Sequence, residues 1–338
     1  MISPRRRKPS TVAVALALLT VYVLWGSTYL GIAVMIETMP PLLAAGARYG
    51  SAGLIILGVF VAHARLRRGG PLERPTAAQW RTAAIVGTLL LLGGNGGVVL
   101  GELFIPTGVA AVLVATVPIW LAVFDAAVTR QRPSGLVIGG LAAGIAGVAV
   151  LLVPVEGFGD LDPLGVILVL GGAMAWAIGS LYSRHAPLPR SALLGTGMQM
   201  FIGGLALTLG GVLLGEIGRT DIAEFSTRSV VAFVYLVVFG SIVAFTAYTW
   251  LLANVPVSTV GTYAYVNPVV AVALGAIFYA EAITPRTLLA AALILGAVVA
   301  MISGRPREAE APTPTIEGEG APERPRPVAP MVRPDPES

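Results

Sequence analysis

Apolar residues fall into ten long runs separated by short polar joints. The runs predict helices near 12–34, 40–62, 79–102, 106–128, 134–153, 163–183, 192–215, 229–252, 257–279 and 285–303. Runs of about 20 residues suit a bilayer-spanning helix better than a helix buried in a soluble core. Pro and Gly mark the joints at Pro40-Pro41, Gly69-Gly70-Pro71, Pro133, Pro163, Pro187 and Pro189. Composition agrees with this pattern. Of 338 residues, 56% are hydrophobic and 12% charged, where a soluble chain carries about 25% charged residues. The expected fold class is an all-α integral membrane protein of ten transmembrane helices, with the lipid bilayer as its solvent.

Charge placement orients the spans. With the N-terminus in the cytoplasm, the inner segments hold fifteen Arg and Lys residues, from Arg5-Arg6-Arg7-Lys8 to Arg305 and Arg307, and the outer segments hold three, Arg219, Arg228 and Arg286. The outer joints carry Glu37, Glu156, Asp160, Asp162, Asp221 and Glu224 instead. This positive-inside bias puts both termini in the cytoplasm of a multi-pass plasma-membrane protein. The basic start, residues 1–11, leads into an apolar run that continues past Trp25 with no small-residue cleavage site, which reads as a retained first helix. From Arg305 onward nine prolines mix with Glu and Arg, so residues 304–338 read as a disordered Pro-rich cytoplasmic tail. The single lysine among 21 arginines, with abundant Ala, Gly, Val and Leu, suggests a GC-rich bacterial source.

Several chemistries are absent from the sequence. There is no cysteine, and His63 and His185 each stand beside an arginine near a helix end, so no metal site is expected. No nucleotide-binding motif, nucleophile–base pair or HExxH motif appears, which points away from ATP-driven transport, an enzyme and cofactors. Gly93-Gly94-Asn95-Gly96-Gly97 lacks the strand, helix start and lysine of a phosphate loop. The basic residues sit in short joints, so they report topology and not nucleic acid.

The chain repeats itself. Pro106 and Pro118 in PTGVAAVLVATVP recur as Pro256 and Pro268 in PVSTVGTYAYVNP, 150 residues later, and LWGSTY (24–29) is approximately matched by AWAIGSLY (175–182). Two five-helix units, 12–153 and 163–303, follow. An odd number of spans per unit inverts the second unit in the membrane, a build typical of secondary transporters that bind solute near the midplane.

Polar side chains within apolar spans are costly and mark candidate sites. Arg48, inside the second run, reads either as a contact for an anionic solute or as a structural tie to carbonyls. Asn95 and Glu102 share one face of the third run, seven residues apart. Glu102 admits binding of a solute amine, proton uptake, or simple hydration near a helix end. The first run supplies Trp25, Ser27, Thr28 and Tyr29, and the sixth supplies Trp176 and Tyr182. Tyr263, Tyr265 and Asn267 precede Pro268 in the ninth. Trp25, Trp176 and Tyr265 are assigned to the cavity, whereas Tyr22, Trp80, Tyr235 and Trp250 read as interface-belt aromatics. Pro118 and Pro268 are the expected kinks, with Asn267 placed to satisfy freed backbone. Asp125 reads as a structural partner of Arg130 or Arg132.

These residues carry a resemblance. LWGSTYLGI (24–32), PPLLAAGARY (40–49), GNGGVVLGE (94–102), PTGVAAVLVATVP (106–118), AWAIGSLYS (175–183), and YAYVNPVVAVALG (263–275) followed by Glu281 make the chain resemble the EamA branch of the drug/metabolite transporter superfamily. The resemblance implies two five-helix EamA repeats. It implies a cavity lined by the first, third, fourth, sixth, eighth and ninth helices, with the fifth and tenth at the periphery. It also implies a secondary transporter exporting small organic metabolites such as amino acids, with protons as the coupling partner or none. The alternatives are an uptake or exchange carrier for sugar-phosphate or nucleotide-sugar solutes, and a non-transporting membrane sensor or scaffold.

Overall fold

Helices start where the sequence supplies caps. In the computed structural model, Ser10 Oγ accepts from the Ala13 N–H (3.2 Å) ahead of α1, Thr11–Ile36. α2, Pro41–Leu66, has proline at its first position, where the missing N–H costs nothing. Thr76 and Gln79 form a reciprocal capping box before α3, Ala77–Gly101. Next come α4 (Thr107–Val114), α5 (Val117–Thr129) and α6 (Gly135–Leu152). Asp162 and Pro163 open α7, Pro163–His185; Ser191 caps α8, Ala192–Leu213; Ser226 caps α9, Thr227–Asn254. The chain continues as α10 (Val257–Gly261), α11 (Tyr263–Tyr279) and α12 (Pro285–Ser303).

The structure describes residues 9–66, 73–105, 107–152, 161–279 and 284–303. The basic run Arg5–Lys8, the joint Gly69-Gly70-Pro71, Pro106, Glu281 and the tail 304–338 lie outside the described residues. All regular structure among the described residues is helical. By length and composition, seven helices there can cross a membrane: Thr11–Ile36, Pro41–Leu66, Ala77–Gly101, Val112–Thr129, Pro163–His185, Ala192–Leu213 and Thr227–Asn254. The other three expected spans fall in the shorter apolar helices α6, α11 and α12.

α2 and α8 pack along most of their length, and so do α6 and α12. Small residues allow this, because helices in lipid associate through close van der Waals packing. A Cβ on Gly53 would lie 2.5 Å from the Phe201 backbone nitrogen, so the two backbones touch there.

Two carboxylates tie the α2–α8 pair together from opposite ends. Glu216, after α8, accepts from the Leu42 and Leu43 N–H groups at the start of α2 (3.1 and 2.8 Å). Glu73, after α2, accepts from Arg190 and Ser191 at the start of α8 (2.6 and 3.0 Å). Each helix start gains an anion opposite its unpaired N–H groups and its positive dipole end. Glu216→Ala and Glu73→Ala should each cost about 1 kcal/mol, seen as a lower midpoint of thermal unfolding in detergent. Glu216 should show the larger drop, because both of its bonds are part-buried whereas the Glu73 bond to Arg190 is exposed.

Two departures from regular α-helix recur in the two units. α3 is π-helical over Thr88–Gly96 and α9 over Leu236–Val243, the middle of the third helix in each half. Such insertions gather at functional positions. The chain also breaks between α4 and α5 at Ala115-Thr116, and between α10 and α11 at Thr262. A threonine stands at each break: Thr116 Oγ1 donates to the Leu113 carbonyl and Thr262 Oγ1 to the Thr259 carbonyl, each at 2.6 Å. Pro118 lies in the first turn of α5, directly after the first break, and lacks the N–H that would bond the Val114 carbonyl across it. Pro268 does lie inside α11.

Candidate functional site

A cavity opens between α1, α2, α3, α7, α11 and the α4–α5 region. Trp25, Thr28, Arg48, Asn95, Glu102, Trp176, Tyr263 and Asn267 line it, so residues far apart in sequence meet at one place. It runs from Trp25, mid-way along α1, to Ile32, and from Gly94 on α3 to Glu102 just past its end.

Arg48 is the buried charge of the site, with 2% of its surface exposed. Its Nε donates to Ser241 Oγ (2.8 Å) on the π-helical stretch of α9. Its guanidinium carbon lies 4.6 Å from the centre of the Tyr49 ring, a favourable cation–π placement. Among the described residues no carboxylate pairs with it. Asn95 Oδ1 is buried without a hydrogen-bond partner, an unsatisfied acceptor turned away from water.

The aromatic wall is shared by both halves of the chain. The Trp25 ring stands edge-on to Trp176 (5.5 Å between centres) and to Tyr263 (4.9 Å). Trp25 Nε1 donates to the Gly240 carbonyl (3.0 Å), also on the π-helical stretch of α9. Thr28 Oγ1 donates to the Trp25 carbonyl (2.7 Å). Asn267, with its amide nitrogen turned inward, donates to the Tyr263 and Tyr22 carbonyls (3.0 and 3.3 Å). The carbonyl that Pro268 leaves without a donor is that of Ala264, four residues back, so these bonds tie Asn267 to other backbone than the expected one.

Other candidates fall elsewhere. Tyr265 is fully buried on the far side of α11, against Gly144, Val148, Ile294 and Met301, with its hydroxyl on the Leu141 carbonyl (3.3 Å). It joins α11 to the α6–α12 pair, which corrects its placement in the cavity. Ser27 turns to Tyr235 (2.5 Å) and Tyr182 packs on the main core, both away from the lining. The Tyr29 side chain lies outside the described ones. Tyr22 and Tyr235, read as belt aromatics, are inter-helix partners instead: Tyr22 Oη lies 2.6 Å from Thr262 Oγ1. Asp125 forms no ion pair with Arg130 or Arg132 among the described residues; its carbonyl accepts from Thr129.

The lining also holds residues that the sequence reading missed: Tyr49, Ile32, Val98, Gly172 and Ala173. Tyr49 had a signal, since it adjoins Arg48. The small residues had none, because they serve by leaving space. The result is a pocket with apolar and aromatic walls, one cation, one carboxylate and the amides of Asn95 and Asn267, which is the usual make-up of a site for a small organic solute.

The pattern of the EamA-like transporter family matches residues 12–153 and again residues 163–303. The chain belongs to the EamA-like transporter family. Its duplicated domain accounts for the paired π-helical stretches, and the family makes the chain a transporter. The uncharacterized inner membrane transporter YedA of Escherichia coli is 37% identical over 292 residues, 86% of this chain and 90% of its own. The uncharacterized transporter YvbV of Bacillus subtilis is 26% identical, over 88% of this chain and 93% of its own. A probable terminal-alkyne amino-acid exporter of Streptantibioticus cattleyicolor is 26% identical, over 88% and 96%. A crystal structure of a protein 21% identical superposes with a TM-score of 0.69, covering 86% of this chain and 96% of the other. It shares the fold.

Proposed function

We propose that this EamA transporter exports amino acids or related small carboxylate-bearing metabolites across the bacterial inner membrane by alternating access. The observation that carries this reading is Arg48, a buried cation in the pocket with no carboxylate partner among the described residues. A charge so placed is costly unless a ligand offsets it. A solute carboxylate meets that need. Glu102 suits its amine, and the Trp25–Trp176 wall suits its side chain. The name of the Streptantibioticus relative, an amino-acid exporter, supports the same class. Glu102 is also the candidate for proton coupling.

The reading takes α6, α11 and α12 as spans. With 18, 17 and 19 residues they reach about 26–29 Å, close to the ~30 Å hydrocarbon core. Ten spans then form two inverted five-helix repeats, 12–153 and 163–303, with both termini in the cytoplasm, as the Arg distribution indicates. A sugar-phosphate or nucleotide-sugar carrier would call for several cations in the pocket, and Arg48 is the one basic residue in the described lining.

Proteoliposomes loaded with labelled amino acids test the proposal. Arg48→Ala should lower efflux by about tenfold or more, since a charge-assisted contact contributes roughly 1.5–3 kcal/mol. Glu102→Gln should lower it less and flatten its dependence on a proton gradient. Wild-type efflux from both variants would refute the assignment.

A further inference from the structure

The pocket lies towards one end of the helix bundle, and buried aromatic side chains bound it on the other side. Its lining follows α1 from Trp25 to Ile32 and α3 from Gly94 to Glu102, so it extends towards the ends at which α1 and α3 finish. Tyr248, on α9, stands on that other side. It does not line the pocket and is fully buried. Its ring centre lies 4.9 Å from that of Trp25 and 5.7 Å from that of Tyr263. Behind it, Val21, Leu252 and Val257 are buried, and Tyr22 meets Thr262 at the α10–α11 break.

The hydrogens at Tyr248 form a closed chain. Trp176 Nε1 donates to Tyr248 Oη (2.8 Å). Ser180 Oγ gives its proton to the Trp176 carbonyl (2.6 Å). Tyr248 therefore donates its own proton to Ser180 Oγ (2.6 Å). Every donor is used, and α9 is locked to α7 with Trp25 of the other repeat stacked against the lock.

The two tryptophans correspond across the repeat, but their bonds differ. Trp25 donates to a carbonyl in the π-helical stretch of α9. Trp176 lies over Gly94 in the matching stretch of α3, since a Cβ there would come 2.7 Å from its ring. Yet its N–H goes to Tyr248. We propose that Tyr248 is the gate residue of the transport cycle. Its bonds to Trp176 and Ser180 hold the carrier open at the end where α1 and α3 finish. Their release frees the Trp176 N–H for the π-helical stretch of α3 and opens the opposite end. In an inverted repeat, that exchange interconverts the two states. The proposal rests on the pocket being the solute site.

The chain has no cysteine, so single reporters can be read without background. Place Val21→Cys behind the gate or Val98→Cys in the pocket, and measure maleimide labelling rates of purified full-length protein in detergent. Tyr248→Phe keeps the ring and loses both bonds. It should raise labelling at Val21→Cys about tenfold and lower it at Val98→Cys, as expected when two net hydrogen bonds leave one state. Ser180→Ala, which breaks the same chain elsewhere, should act in the same direction. Tyr265→Phe, which loses a buried hydroxyl far from the gate, should change neither rate. Unchanged rates in Tyr248→Phe and Ser180→Ala, or a rise at both reporters together, would overturn the proposal. The rates need no solute. If they shift as stated while phenylalanine never protects Val98→Cys, the amino-acid reading of the pocket fails and the gate stands. If phenylalanine protects and the rates do not shift, the gate alone fails.

Discussion

Gly204→Ala should prevent recovery of folded protein, while Gly50→Ala, directly across the same interface, should be tolerated. A Cβ on Gly204 would lie 2.3 Å from the Gly50 nitrogen, 2.7 Å from its Cα and 2.9 Å from the Gly46 carbonyl oxygen. All three are backbone atoms in the interior of α2. They cannot yield by a change of rotamer, so α2 and α8 must separate. Overpacking of this kind costs about 3 kcal/mol, and more where a whole helix pair must shift. A Cβ on Gly50 meets nothing within 4 Å. That substitution should instead gain from the better helix propensity of alanine, by up to about 1 kcal/mol. Thermal unfolding in detergent and the fraction eluting as a single species decide the matter. Equal stability of the two variants would show that the α2–α8 contact is looser than the geometry requires.

The contrast marks how far the sequence could be read. Span positions were legible because hydropathy is a local property and Pro and Gly mark the joints between the apolar runs. The duplication was legible in spaced prolines, and the helices are broken at matching places, Thr116 and Thr262. Arg48 and Glu102 stood out because charge inside an apolar run is costly. The facing of each helix was harder to read. Both sides of α11 are apolar, so nothing local separated Tyr263, which lines the pocket, from Tyr265, which packs on the α6–α12 pair. The π-helical stretches added a second obstacle. Each inserted residue turns the following side chains by about 100° from a 3.6-residue reading. Tyr248 follows such a stretch on α9, in a segment where no charge drew attention to it. Tyr22 and Tyr235 passed for belt residues because their partners, Thr262 and Ser27, lie more than 200 positions away in the chain.

Gly240 makes the site sensitive to a single methyl group. Gly240→Ala should cut amino-acid efflux by about tenfold or more and leave the fold intact. The new Cβ would lie 2.8 Å from Thr28 Cγ2 and 2.9 Å from Arg48 Nη2. Both are side-chain atoms, so the helices can stay in place while the side chains give way. Arg48 has the longer reach but is held by Ser241, the next residue on α9. Its guanidinium must therefore swing about Nε, away from where a solute carboxylate would meet it. A misplacement of about 1 Å is enough to lose much of an oriented contact. The loss should appear as a raised half-saturating concentration. Gly94→Ala supplies the comparison. Its Cβ would press on the Trp176 ring at 2.7 Å and on no atom of Arg48, and should change the turnover rate more than the apparent affinity. If Gly240→Ala binds solute as tightly as the wild type, Arg48 is not the carboxylate contact, and its burial must be explained by Ser241 and Tyr49 alone.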